Sequence, residues 1–316
     1  MNKRFEDAID RLLISSRGEI NSRVSVVQAN VSLLDTSTTC HCYCLKVDAN
    51  NNLRVNDLVD FIDEKILDYA IPKKEIDDAK EYFKCTGSTS KIMRLRKKAE
   101  GLFTNLERTG EGGEILLYIL VQEFLKIPQL ISKMSLKTSG QLHYQGADGI
   151  HVKYDNKTST LNLYWGESKM YSNMNDAMSQ CMKSLKSYLL DPLSANSVQE
   201  RDLQLITANI TQNVNDPELE NALVRYFDKD DDMSNQIVYK GLCFIGFDIS
   251  NYPIPGVIKS TETIIEELQK DIENWHKTLI NKIKEHDNLK LKEILVFLLP
   301  FPSVAEFRKI YLNTIK

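Results

Sequence analysis

The residues best suited to hydrolytic chemistry are Asp148 and the run Glu167-Ser168-Lys169. Residues 161–169 (LNLYWGESK) alternate in the manner of a strand, so Glu167 and Lys169 project from one face. Asp148 opens a second alternating segment, residues 148–154 (DGIHVKY), and Asp155-Asn156-Lys157 between the two has turn composition. The pair reads as a β-hairpin that can bring the carboxylates of Asp148 and Glu167 together. Such carboxylates repel unless a cation sits between them, and oxygen ligands of this kind suit Mg²⁺ or Mn²⁺. A divalent ion lowers the pKa of a bound water and stabilises charge on a phosphate oxygen. A lysine alongside can orient the water or offset developing charge. Gly166, with no side chain, is read as leaving room for a phosphodiester to approach the strand.

The acid-x-Lys spacing also occurs at Asp63–Lys65, Asp78–Lys80 and Asp155–Lys157. The first two sit in helical patterns, where positions i and i+2 diverge, and the third lies in the hairpin turn. Glu167–Lys169 differs in ending an apolar strand with an upstream strand acid to pair with. Two other clusters point to metals and fall short. Cys40, Cys42 and Cys44 recur at every second position, but no second cluster in the sequence answers them, so they read as small buried residues. Asp228–Asp232 starts like a calcium loop, yet Met233 and Tyr239 stand where the loop needs Gly and Glu, so it reads as a solvated acidic loop. The patterns G-x-x-x-x-G-K-[ST], G-x-S-x-G and G-x-G-x-x-G are absent, which argues against a nucleotide-driven motor, an α/β-hydrolase and a dinucleotide enzyme.

The elements around the hairpin follow from periodicity. Gly110-Glu111-Gly112-Gly113 leads into a strongly apolar helix over 114–127, stopped by Pro128, and residues 130–136 can form a strand. A helix over 175–190 follows the hairpin and ends at Asp191-Pro192. A strand over 237–248, a long charged helix over 261–285, a buried strand over 293–299 and a helix over 303–314 complete the chain. Before residue 88 the pattern gives an opening helix, strands over 22–31 and 39–47, an Asn50-Asn51-Asn52 turn and a helix over 55–69. Residues 85–90 (CTGSTS) read as a linker. The expectation is an α/β fold in which residues 1–88 form an α+β accessory domain and residues 89–316 a mixed β-sheet flanked by helices.

With 316 residues, 42% apolar and 27% charged, the chain is an ordinary globular protein of about two domains. Its 40 basic and 44 acidic side chains exclude a protein that coats nucleic acid by bulk charge. The balance is uneven: Lys84 to Glu200 holds 15 basic and 11 acidic side chains, leaving 25 and 33 elsewhere. Lys91, Arg94, Arg96, Lys97 and Lys98 form a basic strip that could neutralise phosphates, or simply a solvated helix face. No segment has the ~20 apolar residues a membrane span needs, and the N-terminus lacks the apolar core of a signal peptide. Six cysteines in a chain this long make no disulfide framework, so a reducing cytoplasm is expected.

The ordered series of a helix carrying Glu (GGEILLYILVQEF), then GADGIHV, LYWGESK and a further helix (MNDAMSQCMKSLKSYL) resembles the core of the PD-(D/E)XK nuclease superfamily. GADGIH followed by GESKMY is similar to the HamA family, nuclease subunits of Hachiman anti-phage defence systems, over roughly residues 95–315. The resemblance implies that Asp148, Glu167 and the Ser168 carbonyl are metal ligands and that Lys169 is the catalytic lysine. Glu114, or its rival Glu111 one turn earlier, would complete the metal shell from the helix, and Gln180, Lys183 and Lys186 would contact DNA. Asp148 follows Ala147 where the superfamily's name has proline. The implied cofactor is Mg²⁺ or Mn²⁺, the substrate DNA, and the partner a superfamily 2 helicase (HamB) that supplies the absent ATPase and releases the nuclease on sensing foreign or damaged DNA. Two further readings stay open: a non-catalytic interaction module that regulates a helicase, and a sequence-specific restriction endonuclease.

Overall fold

The computed structural model describes residues 2–14, 18–103, 110–132, 134, 146–190, 197–254 and 256–315. After α1 (Asn2–Asp10), the alternating segments near the N-terminus form an antiparallel pair, β1 (Val24–Ser32) and β2 (Thr38–Leu45). α2 (Val55–Ala70) stops two residues before Pro72, as the restricted backbone ahead of proline requires. α3 (Lys73–Thr86) ends at Gly87 in the left-handed region (φ 71°), and α4 (Ser90–Glu100) starts three residues later. The expected linker is therefore a short turn between two helices.

α5 (Glu111–Leu120) continues into one wider turn, Val121–Leu125, closed by Lys126 at φ 53°. β3 (Gln129–Ser132) covers only the start of the strand expected over 130–136; residues 133, 135 and 136 lie outside the described set. β4 (Gly149–Asp155) and β5 (Thr160–Met170) form the expected hairpin, in register from Gly149↔Gly166 to Asp155↔Thr160. α6 (Met174–Leu189) starts where the Asn173 side chain accepts from the amides of Asn175 and Asp176. Two helices that the sequence reading did not assign, α7 (Val198–Asn213) and α8 (Pro217–Phe227), precede β6 (Ile237–Asp248). α9 (Thr261–Lys284), β7 (Ile294–Phe301) and α10 (Val304–Thr314) close the chain.

The strands make one seven-stranded sheet in the order β1-β2-β7-β6-β5-β4-β3. Its centre, β2-β7-β6-β5, is parallel, and both margins are antiparallel. The fold is α/β with a mixed sheet flanked by helices, as expected. Residues 1–88 contribute β1 and β2 to this sheet, β2 pairing with β7 from Thr38↔Ile294 to Cys42↔Leu298.

Residues paired across a sheet share a face. Glu167, Cys243, Val296 and Cys40 therefore form one row across β5, β6, β7 and β2, and Lys169, Ile245, Leu298 and Cys42 the next. α6 and α9 pack on this face; Trp165 stacks on Tyr188 of α6 with ring centroids 5.5 Å apart. α5 covers the opposite face, with α2 and α10 packed around it.

Candidate active site

The hairpin register places Asp148 one step beyond the paired glycines Gly149 and Gly166, opposite Glu167. The Asp148 amide donates to the Gly166 carbonyl at 2.9 Å, and the Ser168 amide donates to Asp148 Oδ2 at 2.8 Å. Backbone on both sides thus fixes the Asp148 carboxylate. Asp148 and Glu167 are both buried, at 7% and 5% exposure. Lys169 Nζ is ion-paired with Glu167 Oε1. Burial alone would lower the ammonium's pKa, but the charges of Glu167 and Asp148 outweigh it and raise it above the ordinary lysine value.

The second half of the cluster comes from α5. A Cβ at Gly113 would lie 2.4 Å from Ser168 Oγ, and one at Gly166 would lie 3.2 Å from Leu117, so the helix lies directly on β5 with its first turn at the strand's C-terminal end. That turn carries Glu111 and Glu114, both buried, where the helix dipole favours carboxylates. The Tyr69 hydroxyl of α2 sits 3.0 Å from the Asp148 carbonyl oxygen and 3.3 Å from Glu114 Oε2. Glu114 therefore shares a hydroxyl with Asp148. Burial, then the charges of Glu114 and Asp148, push the Tyr69 phenol far up, so it remains a donor.

Four buried carboxylates, Asp148, Glu167, Glu111 and Glu114, gather around this end of β5, and the charges of Glu167 and Asp148 act on Lys169. The donors are all oxygen, which fits a hard ion such as Mg²⁺ or Mn²⁺. Among the described residues, no three of these carboxylates bring oxygens within 4.8 Å of one another. That suits Mg²⁺, which takes one or two carboxylates and keeps several waters.

With this geometry in view, the HamA family model matches residues 21–310. The chain belongs to the HamA family. It is accordingly a component of a Hachiman defence system, and the matched stretch takes in every residue of the carboxylate cluster. No curated protein matches the chain.

In this HamA protein the other expected site residues are spread over two helices. Gln180, Lys183 and Lys186 are exposed on the outer side of α6, whose Cys181 Sγ lies 3.7 Å from the Glu167 carbonyl oxygen on the inner side. Arg96 of the basic strip is held by Asp63 at 2.6 Å and Glu100 at 2.8 Å, and Lys98 by Glu75 at 2.8 Å. Lys91 lies over the Tyr82 ring, while Arg94 and Lys97 are exposed. The part expected of Gly166 needs correcting. A Cβ there would meet the Gly149 carbonyl oxygen at 2.9 Å and Leu117, so the missing side chain makes room for β4 and α5, not for substrate. Tyr69 was invisible to sequence reading, because nothing local marks a tyrosine 79 residues from the carbonyl it serves. No helix among the described residues is long and apolar enough to cross a membrane.

Proposed function

We propose that this HamA protein is the metal-dependent DNA nuclease of its defence system, hydrolysing phosphodiesters when a partner superfamily 2 helicase (HamB) releases or activates it. The observation that carries the reading is the buried Asp148–Glu167 pair on adjacent strands, oriented by the Ser168 amide and followed by Lys169. A Mg²⁺ or Mn²⁺ ion held by Asp148, Glu167 and the Ser168 carbonyl, with Glu114 completing the shell through a bound water, would lower the pKa of a water and offset charge on the phosphate. Lys169 is kept charged by its carboxylate neighbours and is placed to orient the attacking water or to stabilise charge as the phosphodiester opens. Its ion pair with Glu167 must loosen for it to do so, which ties the lysine's freedom to occupancy of Glu167 by a cation. Gln180, Lys183 and Lys186, with Arg94 and Lys97, are the candidate phosphate contacts. The missing phosphate-binding loop leaves ATP hydrolysis to the partner.

Plasmid integrity tests the proposal: purified protein with Mg²⁺ or Mn²⁺ against EDTA, with and without the helicase and ATP, alongside Glu167→Ala and Lys169→Ala. Metal-dependent smears or nicks lost in both variants support it. Discrete fragments would instead indicate a sequence-specific endonuclease. An inert wild type that still binds the helicase would make the chain an interaction module, and unimpaired variants would place the site elsewhere.

A further inference from the structure

A second constellation lies on the same face of the sheet, three strands from Glu167. Cys40 and Cys42 are alternate residues of β2, both 1% exposed, and both point toward the helical layer that includes α9. His276 is carried by α9. The two Sγ atoms and an imidazole nitrogen all lie within 4.8 Å of one another. The His276 Nε2 atom is buried. Cys44, the third cysteine of the strand, is not part of the group.

We propose that Cys40, Cys42 and His276 form a zinc site that fastens α9 to β2. The ligand chemistry selects the ion. Two sulfurs and one imidazole nitrogen are soft to borderline donors, which disfavours Mg²⁺ and Ca²⁺ and suits Zn²⁺. The spacing is compatible as well. Tetrahedral zinc with bonds of about 2.3 Å to sulfur and about 2.0 Å to nitrogen sets its ligand atoms roughly 3.5–3.8 Å apart, inside the 4.8 Å that bounds the three atoms. Charge decides between Zn²⁺ and Cu⁺. Two thiolates and a neutral imidazole neutralise Zn²⁺ completely, whereas Cu⁺ would leave a net negative charge in a buried place.

The half-buried His276 gives the ion a way in beside two fully buried ligands, and the fourth position stays open to water. Three interstrand gaps separate this site from Glu167, about 14 Å at ~4.8 Å each. It is therefore distinct from the carboxylate cluster, in position and in donor type.

Metal content and optical spectra of the full-length protein test the assignment without reference to activity. Purified protein should carry one zinc per chain. After stripping, Co²⁺ in its place should show the charge-transfer absorption of thiolate coordination. Cys42→Ser and His276→Ala should lose the zinc and that absorption, while Cys44→Ser and Cys181→Ser keep both. Chelation should lower the melting temperature of the wild type and leave that of His276→Ala unchanged; the half-buried His276 tolerates truncation if Cys42→Ser fails to fold. Metal that survives His276→Ala, Co²⁺ spectra without thiolate absorption, or a preference for Cu⁺ would each overturn the proposal.

Discussion

Tyr69 reaches the carbonyl oxygen of Asp148 at 3.0 Å, across 79 residues of sequence, and the same hydroxyl stands 3.3 Å from Glu114 Oε2. A side chain from the first 88 residues thus meets the Asp148 backbone and the Glu114 carboxylate of the core. Tyr69→Phe removes the hydroxyl and leaves buried acceptors without their donor, which costs about 1–3 kcal/mol. Urea titration should show that loss with an unchanged slope. Nuclease activity, once established for the wild type, should fall in the folded variant because Asp148 and Glu114 lose their common anchor.

Lys169 and Glu167 satisfy each other, and the lysine side chain is 24% exposed against 7% for the glutamate. Lys169→Ala removes the ion pair from the buried Glu167 and should destabilise by about 1–2 kcal/mol, below the range for fully buried pairs because the lysine is partly solvated. The same change makes the cluster more negative. Calorimetric titration should therefore find Mg²⁺ or Mn²⁺ bound at least as tightly as by the wild type, although cleavage is lost. Weaker metal binding by Lys169→Ala would show that the ion does not sit at Glu167.

Gly113 is a helical glycine whose replacement by alanine would ordinarily stabilise the helix by about 1 kcal/mol. Here a Cβ would lie 2.4 Å from Ser168 Oγ and 3.0 Å from Met170 Sδ. Gly113→Ala should instead destabilise by about 1–3 kcal/mol, since α5 must move off β5. A lower melting temperature checks this, and a higher one would show that the helix is not seated on the strand as described.

His151, on β4 beside the cluster, is 1% exposed, and its Nδ1 donates to the Ile127 carbonyl at 3.3 Å. Burial lowers its pKa to about 4, against the opposing pull of that carbonyl. In the unfolded chain the imidazole titrates near the ordinary value of 6.5. The unfolded state therefore binds the extra proton first, and stability present above about pH 6.5 is lost progressively down to about pH 4, by roughly 3 kcal/mol in all. Denaturation midpoints measured across that window should slope downward with acid. His151→Gln, which can keep a donor to Ile127, should flatten the slope.

What could be read without a structure was local. The two-residue period of β5 put Glu167 and Lys169 on one face, and the turn composition between the two alternating segments marked a hairpin that can bring Asp148 to Glu167; the register that does so is set by the turn over 156–159. The apolar runs of β6 and β7 and the amphipathic period of α9 were legible for the same reason. Everything that required distant segments to meet was decided by tertiary structure. β2 pairs with β7 across some 250 residues, and parallel pairing leaves no mark in either strand that names its partner. Tyr69 meets Asp148 only because α2 packs against α5. Cys40 and Cys42 looked like small core residues until α9 laid His276 against them, since a metal site is defined by convergence in space and the third ligand lies more than 230 residues away. Gly166 invited a substrate in the sequence, and in the fold β4 and Leu117 claim that space, because the packing of a helix against a strand is set by both surfaces at once.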